Sequence, residues 1–274
     1  MPNVTAIIVG GGGGGGGSNN TGDIYGGSGG GSGGYDNTPD FSVNPGDVIG
    51  VTIGQGGGYG AVYFNGLQIY GTAVQNPGAP WFGDNGGDTN ITVNGSLVAT
   101  IAGGQGGRSS GNSYGGPAAS GGMPNGFASQ AGSSTRNHFP AAAGGIQYYI
   151  NNDGYAFVGT GGQGNAAGGP PGQPLYAGTP GYNGIAVITV PSGVVVASTT
   201  GNPSITGNVY VFSTNGSITL APPPPTVSFV AGSIPATPVN PSQTYTPQAD
   251  GASSSGSLSQ VLIDKSLDNG TTWV

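Results

Sequence analysis

The sequence contains no cysteine and no glutamate, one histidine (His138), and three basic residues, Arg108, Arg136 and Lys265. Without cysteine there can be no disulfide and no thiolate metal site. That absence does not fix the compartment, because a particle assembled in a reducing cytosol has no use for disulfides. The ten acids are all aspartate. Long helices draw on Ala, Leu, Glu, Lys, Gln and Arg; with Glu missing and Lys nearly so, almost no helix is expected. A net charge of −7 with so few cations argues against nucleic acid, whose phosphates call for Lys and Arg, and against an anionic membrane surface. No apolar run approaches the ~20 residues that span a bilayer, and Met1, Pro2 and Asn3 do not begin a basic n-region. No signal peptide is expected.

The catalytic inventory is equally thin. A nucleophile, a base and an orienting group must lie within reach of one another. One His, no Cys and no Glu leave little to build from, so the chain is expected not to be an enzyme, with no cofactor and no metal. The run at 10–17 after VTAIIV matches GxGxxG trivially, but SNNTG follows at 18–22 and no helix former, so a dinucleotide site is not expected.

What the chain does have is glycine, 62 of 274 residues, with 22 prolines. That level usually signals low complexity. Disorder, however, combines low hydrophobicity with high charge. Here charged residues make up only 5% and hydrophobic ones 34%, the latter bunched into short β-like runs. The chain therefore reads as folded and all-β.

A short apolar strand repeatedly runs into glycine. VTAIIV at 4–9 leads into 10–17, VIGVTI at 48–53 into GQGGG, LVATI at 97–101 into AGGQGG, and YAFV at 155–158 into GTGGQG; IAVITV at 185–190 closes the series. Asn-Gly pairs supply the two positive-φ residues of a type I′ turn. They predict hairpins over 61–70 (AVYF-NG-LQIY) and 91–101 (ITV-NG-SLVATI). Hairpins are also expected over 146–158 and 209–220.

The glycine segments at 10–17, 26–34, 111–122 and 161–172 are either loose linkers or extended threefold helices. Such helices have no internal hydrogen bonds, so their N–H and C=O groups point sideways. Lacking Cβ atoms, neighbouring helices can bond directly to one another. Ordering glycine is costly, so many strands must lock together at once. The strands fixing both ends, and Pro117, Pro170, Pro171 and Pro174, favour packed helices.

The order strand, long glycine run, NPGDVIGVTIGQGG, GGQGG and finally GYNGIAVITV resembles the glycine-rich domain of bacteriophage tail-fibre and adhesin proteins. The likeness runs from residue 1 to about 190. It implies a layered sandwich of polyglycine II helices capped by short strands and hairpins, with receptor contact through aromatic loops between the runs. VYVFSTNGSITL at 209–220 is similar to the hairpin that sits beside such domains.

Three regions follow: a glycine-rich domain over 1–191, a β-hairpin connector over 192–225 ending in a stiff Pro-rich linker, and a segment over 226–274. Strand-like stretches at 227–230, 261–263 and 271–274 suggest an incomplete immunoglobulin-like sandwich, short of the usual ~100 residues. Either the chain is a piece of a longer fibre or a partner completes this part. SLDNGTTW at 266–273 matches the Asp-box pattern of sialidase propellers, an element read here as a tight structural hairpin. Asp84 and Asp88 form a close acid pair, within WFGDNGGD. A glycosidase pair or, with Asn85, a calcium site is weighed against plain loop-turn residues, which are favoured.

Recognition is expected from loops that carry isolated aromatic and cationic side chains among Gly, Ser and Asn. The candidates for receptor binding are Trp81, Phe82, Arg108, Tyr114, Phe127, Arg136, His138 and Phe139. The expected role is a structural and binding component of a virion, a tail fibre or adhesin presenting loops to a host-surface glycan or outer-membrane protein. Its partners would be other fibre or tail proteins, with homo-oligomers possible. The alternatives are a purely structural shaft or virion-surface component without receptor contact, and, third, a glycan-active extracellular enzyme.

Overall fold

The computed structural model describes residues 1–17, 28–64, 67–70, 82–108, 120–126, 148–151, 154–157, 159, 161, 178–222, 226–229 and 249–252. Strands are the only regular elements among them. In chain order these are β1 (Asn3–Val9), β2 (Tyr35–Asp36), β3 (Asp40–Ser42), β4 (Val48–Thr52), β5 (Val62–Phe64), β6 (Leu67–Tyr70), β7 (Thr89–Val93), β8 (Ser96–Ile101) and β9 (Tyr148–Asn151). They continue with β10 (Gly154–Phe157), β11 (Ile185–Thr189), β12 (Val196–Thr200), β13 (Ser204–Thr206), β14 (Val209–Phe212), β15 (Gly216–Leu220), β16 (Thr226–Phe229) and β17 (Ala249–Ala252). The chain divides into two units, Met1–Leu220 and Ala221–Val274. In the second, β16 pairs antiparallel with β17; residues 261–263, 266–273 and 271–274 lie outside the described residues.

The first unit is built on two antiparallel sheets. One has the order β13-β14-β11-β1-β2, with β3 also on β1; the other is β12-β15-β4-β7-β8. Strand alternation turns one side chain in two toward a shared interior. Val4, Ala6 and Ile8 of β1 meet Ile49 and Val51 of β4, Ile91 of β7 and Ile218 and Leu220 of β15, with Phe212 and Tyr210 from β14. Fully burying each Ile, Leu or Phe stabilises by roughly 1.5–3 kcal/mol. β11 is buried on both faces, since Ala186 and Ile188 face this core while Ile185 and Val187 join Val9 on the other side. That accounts for its unbroken apolar sequence.

The Asn-Gly turn between β7 and β8 forms as its residues dictate, with Asn94 at φ 50 and Gly95 at φ 82. β5 pairs with β6 and β9 with β10, as the hairpin patterns predict. The stretch 209–220 is different: it is not a hairpin. β14 pairs with β11 in the first sheet and β15 with β4 in the second. Tyr210, Phe212, Ile218 and Leu220 all enter the same core, and they do so from opposite walls, which a flat hairpin could not allow. The Phe212 ring lies where a side chain on Gly216 would stand, so glycine is required at this crossing. The segment expected as a connector also supplies β12 and β13, so residues 196–220 belong to both sheets.

Where the strands run out, the glycine segments begin, and sheet neighbours remain neighbours. The run 10–17 leaves β1. It donates to the run before β2 through Gly10 to Gly34 (3.0 Å), Gly13 to Gly31 (2.9 Å) and Gly16 to Ser28 (2.8 Å). Gly12 and Gly15 donate to Tyr182 and Thr179, in the run before β11. Gly11 and Gly14 donate to Gly87 and Asp84, before β7, and so cross from one layer to the other. The carbonyls of Gly12 and Gly15 accept from Gly57 and Gly60, after β4; those of Gly11 and Gly14 accept from Gly104 and Gly107, after β8. Successive residues thus address different neighbours, and each neighbour is met again every third residue. All of 10–17 is buried.

Between the sheets, side chains fill a gap of ~10 Å. Beyond them, the absence of side chains lets the two layers close until backbone bonds to backbone. Thr89 marks the change. It is fully buried; its hydroxyl donates to Val9 O (2.7 Å) and accepts from Gly54 N (3.0 Å).

Candidate functional site

The edge of this glycine assembly carries a cleft. Its walls are the segments 82–88 and 102–108, which run antiparallel and are joined by Gly83 N–H to Gly107 O (2.9 Å) and Gly86 N–H to Gly104 O (2.8 Å). The period of three sorts every position. Amides 84 and 87 bond inward to the run 54–61, and amides 104 and 107 bond inward to 10–17. The remaining stripes are Phe82, Asn85 and Asp88 on one segment and Ala102, Gln105 and Arg108 on the other, with no glycine in either. The antiparallel register sets Phe82 beside Arg108 and Asn85 beside Gln105.

Phe82, Gly83, Asn85, Gln105, Gly106 and Arg108 line a cavity of about 260 Å³. Phe82 is half-buried, and Asn85, Gln105 and Arg108 are exposed. The frame beneath them is tightly held. Gly106 N–H donates to Asn85 Oδ1 (2.9 Å), which fixes the Asn85 side chain along the wall. Arg108 N–H donates to the Ser28 hydroxyl (2.8 Å), and Arg108 O accepts from Ser28 N–H (3.0 Å) and more weakly from the same hydroxyl (3.3 Å). Ser28 is fully buried. The backbone of Arg108 is therefore anchored while its guanidinium projects outward. Among the described residues no carboxylate pairs with that guanidinium.

Of the eight residues singled out in the sequence, the structure brings together Phe82 and Arg108, 26 positions apart, at this cleft. Trp81, Tyr114, Phe127, Arg136, His138 and Phe139 lie outside the described residues. Sequence reasoning overlooked Asn85 and Gln105 as cleft residues. The signal was present: FGDNGGD and AGGQGGR place non-glycine residues three apart, the repeat of an extended threefold chain.

The structure places the two acids in different settings. Asp84 is buried, with its backbone bonded to Gly14 and Gly58. Asp88 Oδ1 accepts from Gly103 N–H (2.9 Å). Asn85 and Asp88 bond across to the neighbouring segment rather than closing a local turn. Asn183 Oδ1 does the same for Gly56 N–H (2.8 Å), and Asn215 Oδ1 for Ile53 N–H (2.8 Å). These carbonyl-type oxygens stand in for a backbone neighbour where the assembly ends. Among the described residues no group of three His, Cys, Asp or Glu side chains could hold a metal.

No protein-family model matches the chain, and no curated protein matches it.

Proposed function

We propose that the glycine segments are polyglycine II helices packed side by side, and that this lattice is a rigid frame displaying recognition loops. The protein would be a structural and binding component of a virion, of the tail-fibre or adhesin kind, located in a surface appendage. Its partners would be other fibre or tail proteins and a host-surface glycan or outer-membrane protein. It binds rather than catalyses. In the second unit, β16 and β17 would be part of an immunoglobulin-like sandwich.

The observation that carries this reading is the period-three bonding of the run 10–17 to five neighbouring segments. A loose linker gains nothing from such bonds and retains its entropy. A frame that orders so many glycines makes sense where something must be held rigidly at its edge. In sequence, the segments 71–81, 109–119 and 127–147 adjoin β6 or the glycine segments and carry Trp81, Tyr114, Phe127, Arg136, His138 and Phe139.

A shaft built by glycine faces bonding between chains is less well supported. The edge amides of Gly56, Gly103 and Gly106 are already occupied by Asn183, Asp88 and Asn85 of the same chain.

The test is adsorption of the purified chain to candidate host cells. Deleting 108–139 outright would also remove 120–126, whose carbonyls Ser120 and Met123 accept from Gln105 and Ala102. The better variant replaces Trp81, Tyr114, Phe127, Arg136, His138 and Phe139 with serine. Adsorption should fall to background with the fold intact. Unchanged adsorption would remove the recognition role of these loops.

A further inference from the structure

We infer that the cleft between residues 82–85 and 105–108 binds a single sugar unit bearing a carboxylate, such as a uronic acid residue of a surface polysaccharide. The choice of a saccharide rests on the adhesive reading above; the charge and geometry come from the cleft itself.

The size fits one ring. A volume of about 260 Å³ falls below the roughly 300–1,000 Å³ of pockets for drug-sized ligands. Phe82, half-buried, lines one end with an aromatic ring, and aromatic rings are surfaces against which the C–H face of a pyranose packs. Gln105 stands beside Asn85 across the middle; its side-chain amide can both donate to and accept from hydroxyls, while Asn85 Oδ1 is held by Gly106 N–H and keeps that wall in place. Arg108 is the anion-recognising element. Its planar fork matches a carboxylate in two parallel bonds, and the described residues present it with no carboxylate of their own. In a chain of net charge −7 with three Lys and Arg residues, a cation placed beside an aromatic ring and two amides is informative.

Preorganisation strengthens the case. The backbones of all the lining segments are held by the bonds of Gly83, Gly86, Gly106 and Arg108 to their neighbours. A ligand entering here orders only the tips of Gln105 and Arg108, which limits the entropy lost on binding. The side chain of Arg108 contributes no described bond to the fold, so replacing it should leave the frame standing.

The probe is an oligosaccharide of alternating glucuronic acid and N-acetylglucosamine, compared with the same compound after its carboxyl groups are reduced to alcohols. Binding is read by titration calorimetry and by amide shifts of Gly83 and Gly106. The wild-type chain should bind the acidic compound with Kd of about 1 mM and the reduced one about tenfold more weakly. In Arg108→Ala the two compounds should bind equally and weakly. Arg108→Lys should keep part of the preference. Phe82→Ala should weaken both compounds by a similar factor. Unchanged melting temperatures certify the fold.

A wild-type chain that does not distinguish the two compounds overturns the inference, as does Arg108→Ala retaining the preference. So does inorganic phosphate binding as tightly as the acidic oligosaccharide, since the cleft would then be a simple anion site. Cell adsorption separates this inference from the adhesive role. Adsorption unaffected by Arg108→Ala and by the acidic oligosaccharide overturns the cleft's part in it and leaves the adhesive role intact. Preference for the acidic compound without any adsorption supports the cleft and removes the adhesive role.

Discussion

Replacing Gly14 by alanine probes the frame at its centre. A Cβ there would fall on the carbonyl oxygen of Gly58. That oxygen accepts from Asp84 N–H (2.8 Å), while Gly14 itself donates to Asp84 O (2.9 Å) and accepts from Gly107 N–H (2.7 Å). The obstacle is backbone, and backbone cannot swing aside as the tip of a side chain can. Making room means moving the run 54–61 away and breaking at least two or three of these bonds. Each is worth about 1 kcal/mol net, and a buried group left without a partner costs about 1–3 kcal/mol. The expected loss is about 3–6 kcal/mol. For a unit of this size each kcal/mol shifts Tm by roughly 2–4 °C, so thermal or denaturant unfolding reads the change directly. Gly193→Ala is the control. Its φ is +90 and a Cβ there meets nothing, so only the left-handed backbone is penalised, by about 1–2 kcal/mol. If the glycines formed a flexible linker, Gly14→Ala would restrict the unfolded chain and stabilise by about 0.4–1 kcal/mol. The sign of the effect decides the matter, and an unchanged or raised Tm refutes the packing.

Thr89→Val keeps the shape but removes both bonds of the hydroxyl, to Val9 O and from Gly54 N–H, at a buried point. It should cost about 2–4 kcal/mol, and Thr89→Ser should recover most of that in the same unfolding assay. Phe212→Ala empties the fully buried centre of the two-sheet core and should cost about 3–5 kcal/mol by denaturant titration. Asn85→Ala leaves the amide of Gly106, part-buried at an edge position, without its acceptor, so the stability cost should be about 1–3 kcal/mol. The variant should also associate more readily, a change that sedimentation would detect.

The legible parts of the fold are those where side chains carry the pattern. β1, β4, β8 and β11 stand out as apolar runs, and Asn94-Gly95 announces its own turn. The stretch 209–220 misleads because its strand periodicity and its Asn215-Gly216 step are real, yet two strands joined by a turn can serve two different sheets. Only the unpaired edges of β11 and β4 decide that they do. β12 and β13 are muted in sequence because Ser and Thr dominate them and most of their positions are exposed.

The glycine runs pose a different difficulty. Glycine has no side chain to reveal a partner, so nothing at 10–17 names Ser28, Asp84 or Thr179 as neighbours. What the sequence does reveal is the outer face, through the non-glycine residues recurring every third position at 82, 85 and 88 and at 102, 105 and 108. Of the candidate site, the aromatic and cationic ends were visible as Phe82 and Arg108. Their proximity depends on the antiparallel register of two glycine segments, which no local signal encodes. The roles of Asn85, Asp88 and Asn183 as edge caps are long-range for the same reason.

Amide hydrogen exchange at residues 10–17 tests the packed frame most directly. Each amide from Gly10 to Gly16 donates to a carbonyl of another segment and is buried. Such amides exchange only when the structure opens. Protection should match that of Ile8 and Val51 in the sheets and fall together with it in denaturant. Exchange of Gly11 to Gly16 at the rate of an unfolded chain, while the sheets stay protected, would contradict the account.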